Sequence, residues 1–237
     1  MNFKNEVSCP NCGSYNFDYE YKCQNCKSFL RERIINIDLG ETLIRLIDNP
    51  SEIFHKIKLA EYKNYIWFLL SFLALRFLII SRFISVPSSG NNKNYNLLLV
   101  ILFSLIITYL LVLSLSFFIK RIASLIRIKV RYKDVLAVLT YSFIPNLFAL
   151  FILFPVELVF YGEYLFSNNP YPYQIKESVF YFLLVLEILT ILWSVFLLVI
   201  GLNEFMKSKL LSLTISLISW FMISVVLYFQ SIVFFIQ

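Results

Sequence analysis

Residues 97–119 have the sequence LLLVILFSLIITYLLVLSLSFFI, a run without a single charged side chain. A helix rises 1.5 Å per residue, so roughly 20 apolar residues cross the ~30 Å hydrocarbon core of a bilayer. Four further apolar stretches lie at residues 66–84, 135–160, 179–202 and 210–236. Their apolarity is continuous instead of alternating, which favours helices over barrel strands. The sequence therefore predicts an all-α integral membrane protein with a bundle of five transmembrane helices at residues 65–237.

The composition supports this class. Of the 237 residues, 59% are hydrophobic and only 15% are charged, whereas soluble domains carry about 25% charged residues. All four cysteines lie before residue 27, ahead of every apolar stretch. We therefore expect a small N-terminal domain at residues 1–33, a connecting segment at 34–64 and the membrane domain at 65–237.

Lysine and arginine residues are concentrated on one side of the predicted bundle. The segments on that side carry Lys56, Lys58, Lys63, Lys120, Arg121, Arg127, Lys129, Arg131, Lys133, Lys207 and Lys209. The opposite side carries Lys93 and Lys176, with Arg82 at the edge of the first span. Cytoplasmic loops are enriched in cations, so the N-terminus is predicted in the cytoplasm and the C-terminus outside. We attribute the net charge of +6 to this asymmetry and to anionic lipid, and expect no nucleic-acid partner.

The cysteines form two short pairs. Cys9-Pro-Asn-Cys12-Gly is followed after ten residues by Cys23-Gln-Asn-Cys26-Lys. Four thiolates in this arrangement can hold one Zn²⁺ ion tetrahedrally at about 2.3 Å, and Gly13 allows the first pair to turn tightly. Disulfides and a redox dithiol are the alternatives; the cytoplasmic placement argues against the first and the paired arrangement against the second. The sequence predicts a zinc ribbon with a structural zinc ion, because four thiolates leave no position open for catalysis.

Aromatic residues alternate with polar ones between the cysteine pairs. The aromatic positions are Tyr15, Phe17, Tyr19 and Tyr21. A period of two predicts a strand whose aromatic face covers the metal-capped hairpin or forms a surface for another protein. Acidic residues nearly balance the basic ones over residues 1–33, which favours a protein partner, or docking on the protein's own cytoplasmic loops, over nucleic acid.

The connecting segment contains a helix start. Residues 34–48 are predicted to be a mixed linker, after which Asn49 is suited to cap a helix and Pro50 to occupy its first turn. The apolar positions that follow share one face: Ile53, Phe54, Ile57 and Ala60. We predict an amphipathic helix lying on the inner leaflet, with Lys56, Lys58 and Lys63 among lipid headgroups. The sole histidine, His55, is assigned no chemistry.

Four charged residues lie within the predicted spans. They are Arg76, Arg82, Glu157 and Glu187. Because charges in lipid are costly, each is expected to have a partner. Arg76 and Glu187 lie at matching depths below the outer ends of their spans, and Arg82 and Glu157 both lie near the outer ends. The hypothesis is therefore two ion pairs, Arg76–Glu187 and Arg82–Glu157, that fix helix packing; the alternative makes Glu187 a proton or cation site for transport.

Two other features concern the packing of the bundle. Pro145 interrupts the third span and is predicted to kink it, with Asn146 satisfying the freed backbone groups. Ser212, Ser216 and Ser219 recur at helical spacing in the fifth span. Such a face of small residues favours close contact with another helix.

Three segments of the chain resemble the Yip-domain family, whose members are five-span membrane proteins named for interaction with Ypt/Rab GTPases. These segments are Asp48-Asn49-Pro50-Ser51-Glu52-Ile53-Phe54, Tyr141-Ser142-Phe143-Ile144-Pro145, and Trp193 through Ile200-Gly201-Leu202. The resemblance covers roughly residues 44–236 and implies a membrane-resident role; eukaryotic members act in vesicle traffic of the endoplasmic reticulum and Golgi. The Asp-Leu-Tyr-Gly-Pro stretch typical of those members is missing before the first span. That departure, the zinc ribbon and the bias toward Ile, Lys, Asn and Phe indicate a prokaryotic relative in the plasma membrane.

Three classes of function are compatible with a protein of this kind. A non-catalytic membrane adaptor, whose ribbon recruits a protein partner, accounts for all of these features. A small-solute or ion permease would have to use polar groups around Glu187, Arg76 and Asn146. An enzyme is not expected, because the sequence contains no Ser/His/Asp set, no HExxH and no glycine-rich phosphate loop. We expect the bilayer and an unidentified protein as partners; homo- or hetero-oligomer formation and the involvement of a GTPase stay open.

Overall fold

The computed structural model describes residues 4–84, 97–166 and 170–233. The N-terminal part is a hairpin in which β1 (Glu6–Ser8) pairs antiparallel with β2 (Tyr15–Phe17). The predicted strand of alternating aromatic residues was wrong in its length. It ends at Phe17 because the backbone N–H of Glu20 donates to the Phe17 carbonyl at 2.9 Å and turns the chain.

Two helices precede the first apolar segment, where one was predicted. Helix α1 (Leu39–Asp48) occupies most of the predicted linker, and the Asp38 side chain caps it by accepting a bond from the Glu41 N–H at 2.9 Å. Helix α2 (Pro50–Leu59) begins where the sequence predicted. Asn49 caps it, and Pro50 lies in its first turn.

Five apolar helical segments follow, each long and apolar enough to cross a membrane. They are α3 (Ile66–Ile84), α4 (Leu97–Leu125), α5 (Tyr132–Ser142) with α6 (Ile144–Tyr161), α8 (Glu177–Met206) and α9 (Lys209–Ser231). A 3₁₀ turn (Gly162–Phe166) and the short helix α7 (Pro172–Ile175) lie between α6 and α8. The last predicted residues of the fifth span, 234–236, and Lys93 lie outside the described residues. The predicted five-helix membrane fold is confirmed.

The third segment is divided at Phe143, which has φ −84° and ψ 2°. Pro145 lies in the first turn of α6, where a missing N–H costs least. The Asn146 side chain was predicted to satisfy the backbone groups that Pro145 leaves free, but it bonds elsewhere. The backbone N–H of Asn146 donates to Phe143 at 2.9 Å, and its side chain donates to Ser194 Oγ at 2.6 Å. A second proline, Pro155, lies inside α6.

By their contacts the residues form two units, and the first combines Met1–Ile66, Leu113–Tyr141 and Leu197–Ser216. Its core includes Leu46, Phe54, Ile57, Ile119, Leu139, Leu198 and Leu202, all buried. Gly201 lies at the closest approach in this core. A Cβ at that position would lie 2.5 Å from Val138 Cγ1 and 3.0 Å from a Phe54 ring carbon. Glycine therefore allows α2 and α5 to contact α8.

The apolar face of α2 belongs to this core and is covered by protein. Ile53, Phe54, Ile57 and Ala60 are all buried. The three lysines that were expected among headgroups bind carboxylates instead, in the ion pairs Lys56–Glu41, Lys58–Asp18 and Lys63–Asp134. The apolar face that was predicted to contact lipid is therefore covered by protein, because an amphipathic face can be buried against protein as readily as against lipid.

The second unit combines Trp67–Val112, Ser142–Phe196 and Leu217–Gln237. Phe143 lies at the centre of one aromatic group, with its ring 5.7 Å from that of Phe77 and 5.5 Å from that of Trp220. A second cluster is built from Tyr161, Leu165, Tyr171, Phe180 and Leu183. Both clusters lie between helical segments of this unit, while other apolar residues of the same segments, such as Phe151, Phe182 and Phe221, are exposed.

Candidate metal centre and buried charged groups

The two cysteine knuckles are copies of one local structure. Residues 9–14 and 23–28 share the pattern Cys-x-Asn-Cys-x-Ser. In the first, the Gly13 N–H donates to the Cys9 carbonyl at 2.9 Å; in the second, the Lys27 N–H donates to the Cys23 carbonyl at 3.1 Å. Gly13 and Lys27 both adopt positive φ, 72° and 61°. The repeat brings two equivalent turns together, and it is visible in the sequence once the serines are aligned as well as the cysteines.

The four sulfur atoms all lie within 4.8 Å of one another. Cys9 Sγ lies 3.6 Å from Cys26 Sγ, and Cys12 Sγ lies 3.6 Å from Cys23 Sγ. These separations are far longer than a disulfide, and all four cysteines are free. A tetrahedron with sulfurs about 2.3 Å from a central ion has sulfur–sulfur edges of about 3.8 Å. The arrangement therefore fits one metal ion bound by four thiolates.

The serine that ends each knuckle bonds to sulfurs of both knuckles. Ser14 Oγ lies 3.0 Å from Cys12 Sγ and 3.1 Å from Cys23 Sγ. Ser28 Oγ likewise lies 3.0 Å from Cys26 Sγ and 3.3 Å from Cys9 Sγ. The hydrogen bond from Ser14, followed by backbone N–H groups, lowers the pKa of Cys23 to about 5. The hydrogen bonds from Ser28 lower the pKa of Cys26 to about 7. Such bonds stabilise thiolates, the form that binds metal.

The residues just before β1 bond to backbone groups of the loop between α4 and α5. The Lys4 N–H donates to the Arg127 carbonyl at 2.9 Å. Asn5 bonds twice to Lys129: its Nδ2 donates to the Lys129 carbonyl at 2.8 Å, and its Oδ1 accepts from the Lys129 N–H at 3.1 Å. These three bonds dock the start of the hairpin on the loop. Residues 4 and 5 carry no sequence signal for this role, because an asparagine that bonds to backbone groups far along the chain forms no local pattern.

An ion pair ties the same hairpin to α2. Lys58 Nζ lies 2.5 Å from Asp18 Oδ2 and donates to the Glu204 carbonyl at 3.1 Å. The Lys58 side chain is only 5% exposed. A nearly buried ammonium group needs such acceptors, so the hairpin supplies part of its solvation.

Cations of the loop cover two aromatic residues of the predicted strand. Lys129 Nζ lies 4.2 Å from the Phe17 ring centre, and the Arg131 guanidinium lies 5.0 Å from that of Tyr19. Tyr15, in contrast, is 76% exposed. The aromatic residues therefore divide between contacts with the protein's own loop and exposure to solvent.

A second buried charged group lies nearby in the same unit. Lys63 Nζ pairs with Asp134 Oδ1 at 3.0 Å, and Arg131 Nε donates to Asp134 Oδ2 at 2.7 Å. Burial lowers the pKa of Lys63 to about 8, although Asp134 opposes that shift. His55, which was assigned no chemistry, lies on the surface of α2 with Nδ1 3.1 Å from Glu204 Oε2.

The first predicted intramembrane pair lies together in the second unit. Arg76 Nη2 donates to Glu187 Oε2, and both side chains are buried. Glu157 is also fully buried, and its carboxyl interacts with that of Glu187 and with Arg76. Three ionisable groups therefore meet where two were predicted to meet.

Arg82 and Glu157 are not an ion pair among the described residues. Arg82 Nε donates to the Leu165 carbonyl at 2.8 Å, and its guanidinium lies 4.4 Å from the Tyr171 ring centre. The predicted pairing was wrong because depth along two helices does not determine which way their side chains face. The small-residue face of α9 is buried at all three predicted positions, Ser212, Ser216 and Ser219.

These features define a class: integral membrane proteins in which five apolar helical segments follow a four-cysteine hairpin able to bind a metal ion. The model of the Yip1 domain matches residues 44–233, so the chain belongs to the Yip1 domain family. The resemblance found in the sequence is confirmed, and the hairpin lies ahead of the matched domain. No curated protein and no solved structure matches the chain.

Proposed function

We propose that the protein is a non-catalytic multi-pass membrane adaptor whose N-terminal hairpin, held by a structural zinc ion, contacts a protein partner. The observation that carries this proposal is the division of the hairpin surface. Phe17 and Tyr19 are occupied by the protein's own loop, whereas Tyr15 and Phe29 are 76% and 69% exposed. Exposed aromatic side chains on a small domain held in a fixed orientation are typical of contact sites for proteins.

Zinc is the metal that we propose for the cysteine cluster. Four thiolates with no carboxylate or histidine among them form the ligand set of a structural zinc site. Calcium and magnesium are hard cations that prefer oxygen ligands, whereas zinc binds thiolate sulfur well. Cys9, Cys12, Cys23 and Cys26 would hold the ion. In this site the ion would supply folding free energy to a hairpin that has few apolar contacts of its own.

The proposed arrangement in the membrane follows from the cations. Residues 1–33 form the ribbon and 34–64 the connecting helices, both in the cytoplasm, and 65–237 form the membrane domain with its C-terminus outside. The plasma membrane of a prokaryote is the proposed location. Members of the family are generally non-enzymatic, which agrees with an adaptor.

A permease would need Glu187, Arg76 and Asn146 to form one polar region. The side chain of Asn146 donates to Ser194, and the structure gives it no hydrogen bond to either of the other two residues. We therefore keep the adaptor as the proposal.

Site-specific photo-crosslinking in cells tests the adaptor function. A photoreactive amino acid at position 15 or 29 should form an adduct with a second polypeptide. At position 17, which contacts Lys129, it should react within the chain only. Cys9→Ser should abolish the adducts without reducing membrane insertion, because it removes a metal ligand. Equal adducts from positions 15 and 17, or adducts that persist in Cys9→Ser, would exclude the proposal.

A further inference from the structure

The strongest feature not used by the proposed function is the buried group formed by Arg76, Glu157 and Glu187. The three side chains come from α3, α6 and α8, and are 0%, 0% and 3% exposed. All three helices are membrane-spanning segments. An ionised group in such surroundings needs a charge partner and hydrogen bonds, because neither water nor lipid headgroups compensate it.

The formal charges of the group do not balance. Two carboxylates and one guanidinium leave one uncompensated negative charge. The electrostatic contacts of Glu157 are with Glu187, Arg76 and Tyr161, and the Tyr161 hydroxyl donates to the Lys176 carbonyl at 3.3 Å. Arg82, the other arginine of α3, bonds to the Leu165 carbonyl and does not join the group. Among the described residues, no second cation joins the group.

The hydrogen bonds of the group indicate which carboxyl oxygens could carry a proton that balances its charge. Arg76 Nη2 donates to Glu187 Oε2. Within the described part of the chain, Glu187 Oε1 and both carboxyl oxygens of Glu157 have no donor. An ionised carboxylate only accepts hydrogen bonds, whereas a protonated one also donates. If Glu157 is protonated, its O–H can donate a hydrogen bond to the neighbouring Glu187 carboxyl. One proton then gives a hydrogen bond to oxygens of both residues.

We propose that Glu157 and Glu187 form a proton-binding site that holds one shared proton at neutral pH. Two interacting carboxyls buried with a single guanidinium take up protons as a coupled pair, and ionisation of both is disfavoured. Arg76 stabilises the single remaining negative charge. The site carries no net charge when the proton is bound, and it becomes negative when the proton leaves. This inference does not depend on the adaptor function.

Infrared spectroscopy of the full chain in lipid nanodiscs tests the proposal. A protonated carboxyl has a C=O stretching band that a carboxylate lacks, so wild type should show one such band at neutral pH. Glu157→Gln should abolish it. Glu187→Gln should abolish it too, because the remaining carboxyl of Glu157 then pairs with Arg76 in the ionised form. Glu177→Gln, which removes an exposed carboxylate from the same helix α8, should leave the band unchanged.

The two glutamine variants keep the size and the donor capacity of a protonated glutamate, so they should fold, and far-UV circular dichroism checks this. Absence of the band in wild type would overturn the proposal. So would a band that persists at full intensity in Glu157→Gln or Glu187→Gln. Arg76→Gln gives an independent readout: without the guanidinium both carboxyls should be protonated, and the band should roughly double. An unchanged intensity in a folded Arg76→Gln protein would also overturn it.

Discussion

Removing the Asp18 carboxylate should weaken docking of the hairpin onto the loop between α4 and α5. Asp18→Asn removes the negative charge beside the Lys58 ammonium, whose side chain is 5% exposed, and leaves it only neutral acceptors such as the Glu204 carbonyl. Breaking a fully buried pair by removing one partner costs about 3–5 kcal/mol. Asp18 is 24% exposed and so is partly screened by water. We therefore expect a cost of about 2 kcal/mol, which is about 30-fold in the docking equilibrium.

Native-state hydrogen exchange measures this equilibrium at amides that bond only when the hairpin is docked. The Lys4 N–H bonds to Arg127, and the Lys129 N–H bonds to Asn5. Both should exchange about 30-fold faster in Asp18→Asn when exchange follows the open population. Glu32→Gln, which removes an exposed carboxylate of the same segment, should leave both rates unchanged.

Removal of the lysine provides an asymmetric comparison. Lys58→Met removes the cation beside Asp18, but this carboxylate is partly exposed and still accepts from Asn5 Nδ2 at 3.0 Å, so the effect on exchange should be smaller than that of Asp18→Asn. Unchanged exchange in Asp18→Asn, or equal acceleration in Glu32→Gln, would refute the conclusion that this ion pair holds the hairpin.

Three further predictions concern stability and metal content. Gly201→Ala should lower the free energy of unfolding by about 1–3 kcal/mol, because its Cβ would lie 2.5 Å from Val138; in Gly40→Ala the nearest atom lies at 3.4 Å, so chemical denaturation should show no loss. The pKa of Lys63 is lowered from 10.5 to about 8, so the unfolded chain binds more protons between these values. Stability relative to Lys63→Met should therefore rise over this pH range, by at most about 3 kcal/mol, and a flat difference would contradict the burial. Native mass spectrometry should find one zinc ion per chain, lost in Cys23→Ser without loss of membrane insertion; retention of the metal would rule out the four-thiolate site.

The sequence was sufficient for the five apolar segments and for the cysteine cluster because both signals are local. Continuous apolarity over a membrane-spanning length is rare outside transmembrane helices, and a Cys-x-x-Cys pair needs only its own backbone turn. The start of α2 was predictable for the same reason, since Asn49 and Pro50 act within one helical turn. Helix α1 has an equivalent signal in Asp38 and Glu41, although residues 34–48 were predicted to be a linker.

The partners of buried side chains were harder to predict because they depend on helix rotation. Arg82 and Glu157 lie at similar depths, yet their side chains face different neighbours. The amphipathic pattern of α2 identified a face to be covered but did not distinguish lipid from protein. The period-two aromatic pattern is likewise compatible with a turn after Phe17, which depends on the Glu20 contact.

The crossed serine bonds of the knuckles affect how this part of the chain can be divided. Ser14 belongs to the first copy and bonds to Cys23 of the second, while Ser28 belongs to the second and bonds to Cys9 of the first. Neither copy is therefore complete by itself. A fragment that ends between the two copies would lose the hydrogen bond that each serine makes to a cysteine of the other copy. Any transplantation of this element into another protein must carry residues 9–28 as one indivisible insert.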